Sequence, residues 1–286
     1  MEERISLAPA AQPPPRETRR AAACLHLDVP DDDVEASACH SPSCSRQLDS
    51  PLGRAQAHLP LAVGALSTLV LTIGLVATMW LTLAHYVVAA GSSLLSWASF
   101  ALHPALMTLA FGLLAPIGSV AYRTLEMLLG VSHGTAKRVH ASLMGSAGVF
   151  GVLGLVDMWV VHERAAEEAK AAGLSVHFQS VHGLVGIGAL ALLSANGLVG
   201  FGAFCFPSAR PALRRAVLPA HSFAGTLGVV LGLIAIVTGI LSLAGRGDNA
   251  APKDRLFKSA AVLAMLLLGH VLGLVVVTGR AMIRRT

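Results

Sequence analysis

Charge is what this sequence has least of. Only 13% of its 286 residues are Asp, Glu, Lys or Arg, about half the roughly 25% of an ordinary soluble domain. The shortage is concentrated in long runs. No charged residue occurs between Arg54 and Arg123, a gap of 68 residues, and further gaps of 18, 39, 30 and 21 residues follow Arg138, Lys170, Arg215 and Lys258. About 20 apolar residues in a helix span a bilayer, so a single water-soluble globule is excluded. Aromatic residues are also scarce, at 5%, too few for base-stacking platforms. The net charge of +5 therefore does not point to nucleic acid; the basic residues sit in short connections, where they set membrane orientation. Cysteine is limited to Cys24, Cys39, Cys44 and Cys205. Three of these fall in the polar N-terminal segment, which argues against a disulfide framework, and Cys39-His40 with Cys44 lacks the second ligand pair of a zinc site.

What is present organises into two parts. Residues 1–57 are rich in Ala, Pro, Ser and Arg, with an acidic run at Asp31-Asp32-Asp33-Val34-Glu35. Without periodicity or a hydrophobic core they read as a disordered cytosolic tail, and they lack the layout of a cleaved signal peptide. Residues 58–286 read as an all-α, polytopic membrane domain in contact with lipid. Its six transmembrane helices are expected at Leu61–Ala89, Trp97–Tyr122, Lys137–Val161, Ser180–Phe206, Ala216–Ala244 and Phe257–Gly279. Pro104 and Pro219 are expected near helix starts, and Pro116 to kink helix 2. Arg123, Lys137 and Arg138 fall in the 2–3 connection, and Arg210, Arg214 and Arg215 in the 4–5 connection. Together with Arg280, Arg284 and Arg285 at the C-terminus, they predict both termini on the cytosolic side. The basic 5–6 connection dissents.

Twelve histidines are many for so apolar a chain, and ionisable groups inside a membrane usually mark function. His103, His140, His182 and His221 each fall in the first two turns of helices 2, 3, 4 and 5. Because consecutive helices run antiparallel, His103 and His182 share the non-cytosolic end, and His140 and His221 the cytosolic end. Two facing imidazoles are the axial set of a six-coordinate haem, which shuttles electrons rather than binding oxygen. The expectation is a central four-helix di-haem bundle formed by helices 2–5, with the iron levels about 20–25 Å apart at 1.5 Å of rise per residue. His85 and His270 lack matched partners and read as interface or cavity residues. His162 and His177 flank the non-cytosolic 3–4 loop, and Asp157 is expected to face the same rim. Gly145, Gly148, Gly151 and Gly154 form a small-residue stripe on helix 3, suited to close helix packing.

These residues resemble the cytochrome b561 family of six-helix, ascorbate-dependent transmembrane reductases. The likeness rests on Gly91-Ser-Ser-Leu-Leu-Ser-Trp97 with His103-Pro-Ala-Leu-Met107, on Lys137-Arg-Val-His140, on Ser180-Val-His182-Gly and on Leu218-Pro-Ala-His221. It covers about residues 60–280. The resemblance implies two haems b, held by His103 with His182 and by His140 with His221. Val120-Ala-Tyr122-Arg123 is similar to the family's Leu-Val-Tyr-Arg, so the resemblance implies that Arg123 and Lys137 contact cytosolic ascorbate. The family's Ser-Leu-His-Ser-Trp is Ser180-Val-His-Gly-Leu184 here, and the second His often found four residues after the helix 3 ligand is Met144.

The function expected is electron transfer from cytosolic ascorbate, through two b haems, to monodehydroascorbate or a ferric chelate on the opposite side of an endomembrane or the plasma membrane. Such a protein is an ascorbate-dependent oxidoreductase with no catalytic acid, base or nucleophile of its own. A homodimer is compatible with the sequence. Two other readings fit the same histidines: a small-solute or proton transporter with a His relay, and a haem-anchoring subunit of a larger redox complex. A non-catalytic membrane scaffold is the third.

Overall fold

A computed structural model describes residues 51–89, 99–166, 177–205, 209–244 and 252–283. The tail segment 1–50, with Cys24, Cys39 and Cys44, lies outside the described residues, as do the 91–97 motif and the acidic pair Glu167 and Glu168. The described residues are helical throughout, without strands. Helix α1 is Pro51–Ala89. Helix α2 comprises Leu102–Met107, a π-helical segment Thr108–Leu114 and Ala115–Leu129. Helix α3 is His133–Ala165, and α4 is Val181–Gly200 continued by the π-helical Phe201–Cys205. Helices α5, Pro211–Ala244, and α6, Pro252–Ile283, complete the set. All six are long and apolar enough to cross a membrane.

Several helices run further than hydropathy indicates. Helix α1 starts at Pro51, inside the segment expected to be disordered, and α2 and α3 meet across three residues. Gly130 ends α2 in the left-handed region (φ 61°), and Ser132 caps α3 by accepting the Thr135 N–H. Such a short connection forces α2 and α3 into an antiparallel hairpin. Arg123, expected just beyond helix 2, is consequently helical, and Lys137, expected to open helix 3, lies one turn inside it. Apolar periodicity registers only the part of a helix that lies in lipid, so polar turns beyond it are missed.

Pro116, expected to kink α2, is accommodated by a local change of helix type. Its ring would clash with the carbonyl four residues earlier, and the helix instead widens just before it. There the Ala115 N–H reaches back five residues to the Ala110 carbonyl, a π-type bond. Pro219 departs from expectation: α5 begins at Pro211, so Pro219 lies inside the helix.

The core is made by α1, α2, α5 and α6, where Leu75, Leu83, Val229, Leu233, Ile240 and Leu267 are fully buried. Among its few polar side chains, Thr68, Thr82 and Thr108 bond back to carbonyls one turn earlier. Large apolar residues such as Leu198 and Phe223 point outward, 75% and 71% exposed, the arrangement of a protein solvated by lipid. His270 sits in the α1–α6 interface, 3.0 Å from both the Gly64 carbonyl and Thr68 Oγ1, as its unpaired position suggested.

Candidate functional site

The four intramembrane histidines come together as two pairs. The rings of His103 and His182 are 6.0 Å apart between centroids, at 87° to one another. Those of His140 and His221 are 6.5 Å apart at 74°. Each pair joins a histidine of the α2–α3 hairpin to one of the α4–α5 hairpin.

The backbone fixes which nitrogen each ring presents. His103 Nδ1 donates to the Gly154 carbonyl at 2.9 Å, His140 Nδ1 to Gly118 at 2.8 Å and His182 Nδ1 to Ala235 at 2.8 Å. His221 Nδ1 is buried outside hydrogen-bond geometry, with the Asn196 backbone as the accepting group beside it. A donated Nδ1–H sets the tautomer and leaves Nε2 with its lone pair, the form in which imidazole binds a metal. The pattern is reciprocal. Helix α2 straps to α3 at one end through His103 and at the other through His140, and α4 relates to α5 in the same way. Gly118 follows His103 by 15 residues, while Gly154, Asn196 and Ala235 follow His140, His182 and His221 by 14 each. Each interval corresponds to a rise of about 21–22 Å, so the two sites stand that far apart along the bundle.

These residues fit haem. A metal–imidazole bond of about 2 Å on each side of one ion sets two ring centroids about 6 Å apart. Among the described residues no group of three or more His, Cys, Asp or Glu side chains is placed to hold a bare ion; two imidazoles suit an iron whose remaining ligands come from a porphyrin. Space is provided by glycine. A Cβ on Gly239 would stand 2.9 Å from His182 Cε1, and one on Gly200 would stand 2.5 Å from His221 Cε1. A cavity of about 420 Å³ opens beside His103 and His182, lined also by Gly186, Gly239 and Phe111, within the roughly 300–1,000 Å³ of cofactor pockets. The α3 glycine stripe is divided: Gly151 and Gly154 pack against Leu190, Phe111, Leu106 and Met107, whereas Gly145 and Gly148 face open space.

At the mouth of that cavity the structure joins His162 and His177, expected at this loop, to Trp159, Glu163 and Phe178. His177 Nε2 lies 2.8 Å from Glu163 Oε1, and its ring stacks on Trp159 at 3.7 Å and 8°. His162 lies 5.7 Å from His177 between centroids. Phe178 holds a left-handed backbone (φ 54°), costly for an aromatic residue, and Gly183 lets its Cα come close. Asp157, expected at this rim, is instead fully buried.

At the opposite end Tyr122 packs edge-on to His140, centroids 6.4 Å apart. Its hydroxyl contacts His133, which in turn meets Glu126. Neither His133 nor Glu126 stood out in the sequence, although the fourfold spacing Gly118, Tyr122, Glu126 on α2 marks one helical face. Lys137 is half-buried on α3, one turn from His140. Arg123 follows Tyr122 on α2; its side chain lies outside the described residues.

Comparison with known proteins agrees with this geometry. Residues 102–244, half of the chain, match the family model described as eukaryotic cytochrome b561. The chain is 32% identical over 142 residues to a probable ascorbate-specific transmembrane electron transporter of Oryza sativa, covering 50% of this chain and 56% of that one. It is 29% identical over 142 residues to a lysosomal membrane ascorbate-dependent ferrireductase of Danio rerio, covering 50% and 54%. With a plasma membrane ascorbate-dependent reductase of Xenopus tropicalis the identity is 28% over 184 residues, covering 63% and 61%. The matches thus span little more than half the length of these relatives. The family-model match contains all four paired histidines, and the chain belongs to the eukaryotic cytochrome b561 family.

Proposed function

We propose that this protein carries electrons across a membrane, from ascorbate at the His140/His221 end to a ferric chelate or monodehydroascorbate at the His103/His182 end. Two imidazole pairs, one at each end of the same four helices and each spaced for one axially ligated iron, carry the reading. Haem b, when bound, supplies reversible one-electron chemistry; two are expected per chain, on His103 with His182 and on His140 with His221. The relatives' names, ascorbate-specific electron transporter and ascorbate-dependent ferrireductase, support the donor and the class of acceptor.

The chain's own residues position and select. The Gly154, Gly118 and Ala235 carbonyls keep His103, His140 and His182 in the Nδ1–H tautomer. Lys137 places positive charge near the start of α3, Arg123 follows Tyr122 in the sequence of α2, and ascorbate, an anion near neutral pH, is drawn to a basic rim. At the other end His162, Trp159 and the Glu163-held His177 border the cavity and offer ring edges and planes to an acceptor. With both termini cytosolic, as the basic connections predict, ascorbate is taken from the cytosol. The membrane is an endomembrane or the plasma membrane, the two settings named for the relatives.

The test is reconstitution into sealed vesicles with a ferric chelate and a ferrous indicator inside and ascorbate outside. Ferrous iron should appear inside at a rate that follows protein density, together with reduction of b-type absorption at two haems per chain. Indicator colour only in leaky vesicles, or a protein that binds no haem, would overturn the reading.

A further inference from the structure

One corner of the bundle departs from the strap that the other three share. His103, His140 and His182 each place Nδ1 at 2.8–2.9 Å from a carbonyl of the neighbouring helix, offered by Gly154, Gly118 and Ala235 respectively. None of these three carries a side chain larger than methyl, so the ring can come up to the backbone. At the fourth corner the residue in the same place is Asn196, and there His221 Nδ1 is buried without a hydrogen-bond partner among the described residues. The Asn196 side chain is itself buried, 9% exposed. Its amide lies against α5, where a Cβ on Gly225 would stand 3.0 Å from Nδ2. Gly225 is one turn beyond His221, and Asn196 is one turn before Gly200, where a Cβ would meet the His221 ring. The amide therefore fills the space between α4 and α5 one turn from the ligand. Pro219, inside α5 two residues before His221, removes one backbone hydrogen bond and lets this stretch of helix sit where the spacer puts it.

We propose that Asn196 is a positioning residue for His221: its side chain spaces α5 from the α4 carbonyl, so that His221 is the one paired histidine whose Nδ1–H is not bound to backbone. The assignment rests on the haem reading given above. A donated Nδ1–H makes imidazole a more basic ligand, and a more basic axial ligand favours ferric over ferrous iron. Hydrogen bonds behind the ligands thus help to set a haem potential. His103, His140 and His182 are strengthened in this way and His221 is not. The His140/His221 site is then easier to reduce than it would be with a fourth strap, which suits the end proposed to receive the electron. Asn196 acts through His221, by the distance it keeps.

The experiment reads potential and hydrogen bonding in the full chain, with one site loaded at a time. In a His103→Ala background, which keeps only the His140/His221 site, Asn196→Ala reproduces the Ala235 corner and should close the strap. The oxidised-to-reduced equilibrium constant should then shift about tenfold toward ferric iron, a fall of about 59 mV for one electron. Asn196→Leu keeps the spacing with an apolar side chain of similar size and should hold the parent potential. In a His140→Ala background, which keeps the other site, neither change should move it. The reduced protein, with low-spin six-coordinate iron, is diamagnetic, so 15N spectra of ring-labelled histidine report each Nδ1–H. In the His103→Ala background one of the two ligand Nδ1–H signals should move downfield with Asn196→Ala, and neither with Asn196→Leu. An unchanged potential, or a lowered one with both signals unmoved, would overturn the proposal, as would equal effects of alanine and leucine. Should Asn196→Ala lose its haem, Asn196→Gly, which reproduces the Gly118 and Gly154 corners, takes its place. Loss from both would overturn the proposal, because the amide would then be needed for ligation itself. A wild type that binds no haem would overturn the haem reading instead, and the same spectra of that haem-free chain would still test the strap.

Discussion

A single methyl group at Gly200 should remove one of the two proposed haem sites and leave the other intact. The Cβ of Gly200→Ala would stand 2.5 Å from His221 Cε1, 3.0 Å from Nδ1 and 3.4 Å from Nε2. To regain ordinary contact the imidazole must retreat by about 1 Å, half the length of a metal–nitrogen bond of about 2 Å. Ligand constellations hold their function within about 0.5 Å, and overpacking of this kind costs about 1–3 kcal/mol. Affinity at the His140/His221 site should fall by roughly 5- to 150-fold, as 1.4 kcal/mol corresponds to tenfold. The His103/His182 site, about 21 Å away along the bundle, should keep its haem. The assay is haem per chain by extraction, with a potentiometric titration to resolve two components. Gly200→Ala should show one component and about half the haem. Gly197→Ala, one turn away with no atom within 4 Å of its Cβ, should match wild type. Full occupancy with unchanged potentials in Gly200→Ala, or equal damage from Gly197→Ala, would refute the steric argument.

Gly239→Ala should produce the mirror result, depleting the site of His103 and His182, whose ring stands 2.9 Å from that Cβ; the same extraction and titration apply. His103→Ala and His140→Ala should each lose one haem but differ in behaviour: ascorbate should still reduce the haem remaining in His103→Ala and reduce that in His140→Ala far more slowly. Lys137→Gln should raise KM for ascorbate by about fivefold at low salt, equivalent to the roughly 1 kcal/mol of one partly screened charge, with the difference shrinking as ionic strength rises. Trp159→Leu removes the plane on which His177 stacks. It should raise KM for the ferric chelate while leaving reduction by ascorbate at wild-type rate.

The sequence made the histidines legible because an imidazole in lipid has no cheap reason to be there, and antiparallel alternation alone assigned them to ends. It did not reveal what each Nδ1 bonds to. Gly118, Gly154 and Ala235 act through backbone carbonyls, and a carbonyl leaves no mark on the choice of side chain. The extension of α2 and α3 past the charged residues was hidden for a related reason, since polarity there reports the edge of the bilayer rather than the end of the helix. His133 and Glu126 were overlooked because an exposed histidine beside a connection looks solvated until its neighbour across the hairpin is known. The widening before Pro116 was only half legible: the proline announced a disturbance, but not whether the backbone would bend or take in an extra residue per turn.

The reciprocal strapping of α2 to α3 and of α4 to α5 bears on how such a protein could arise. Each hairpin carries one ligand near each of its ends, and neither hairpin completes a site by itself. The two correspond in their ligands, His103 to His182 and His140 to His221. A primitive chain with a single hairpin, associating with its own twin, would already have built both centres in one step; fusion of two copies would then have freed each half to diverge, one toward the donor's charges and the other toward the acceptor's rim.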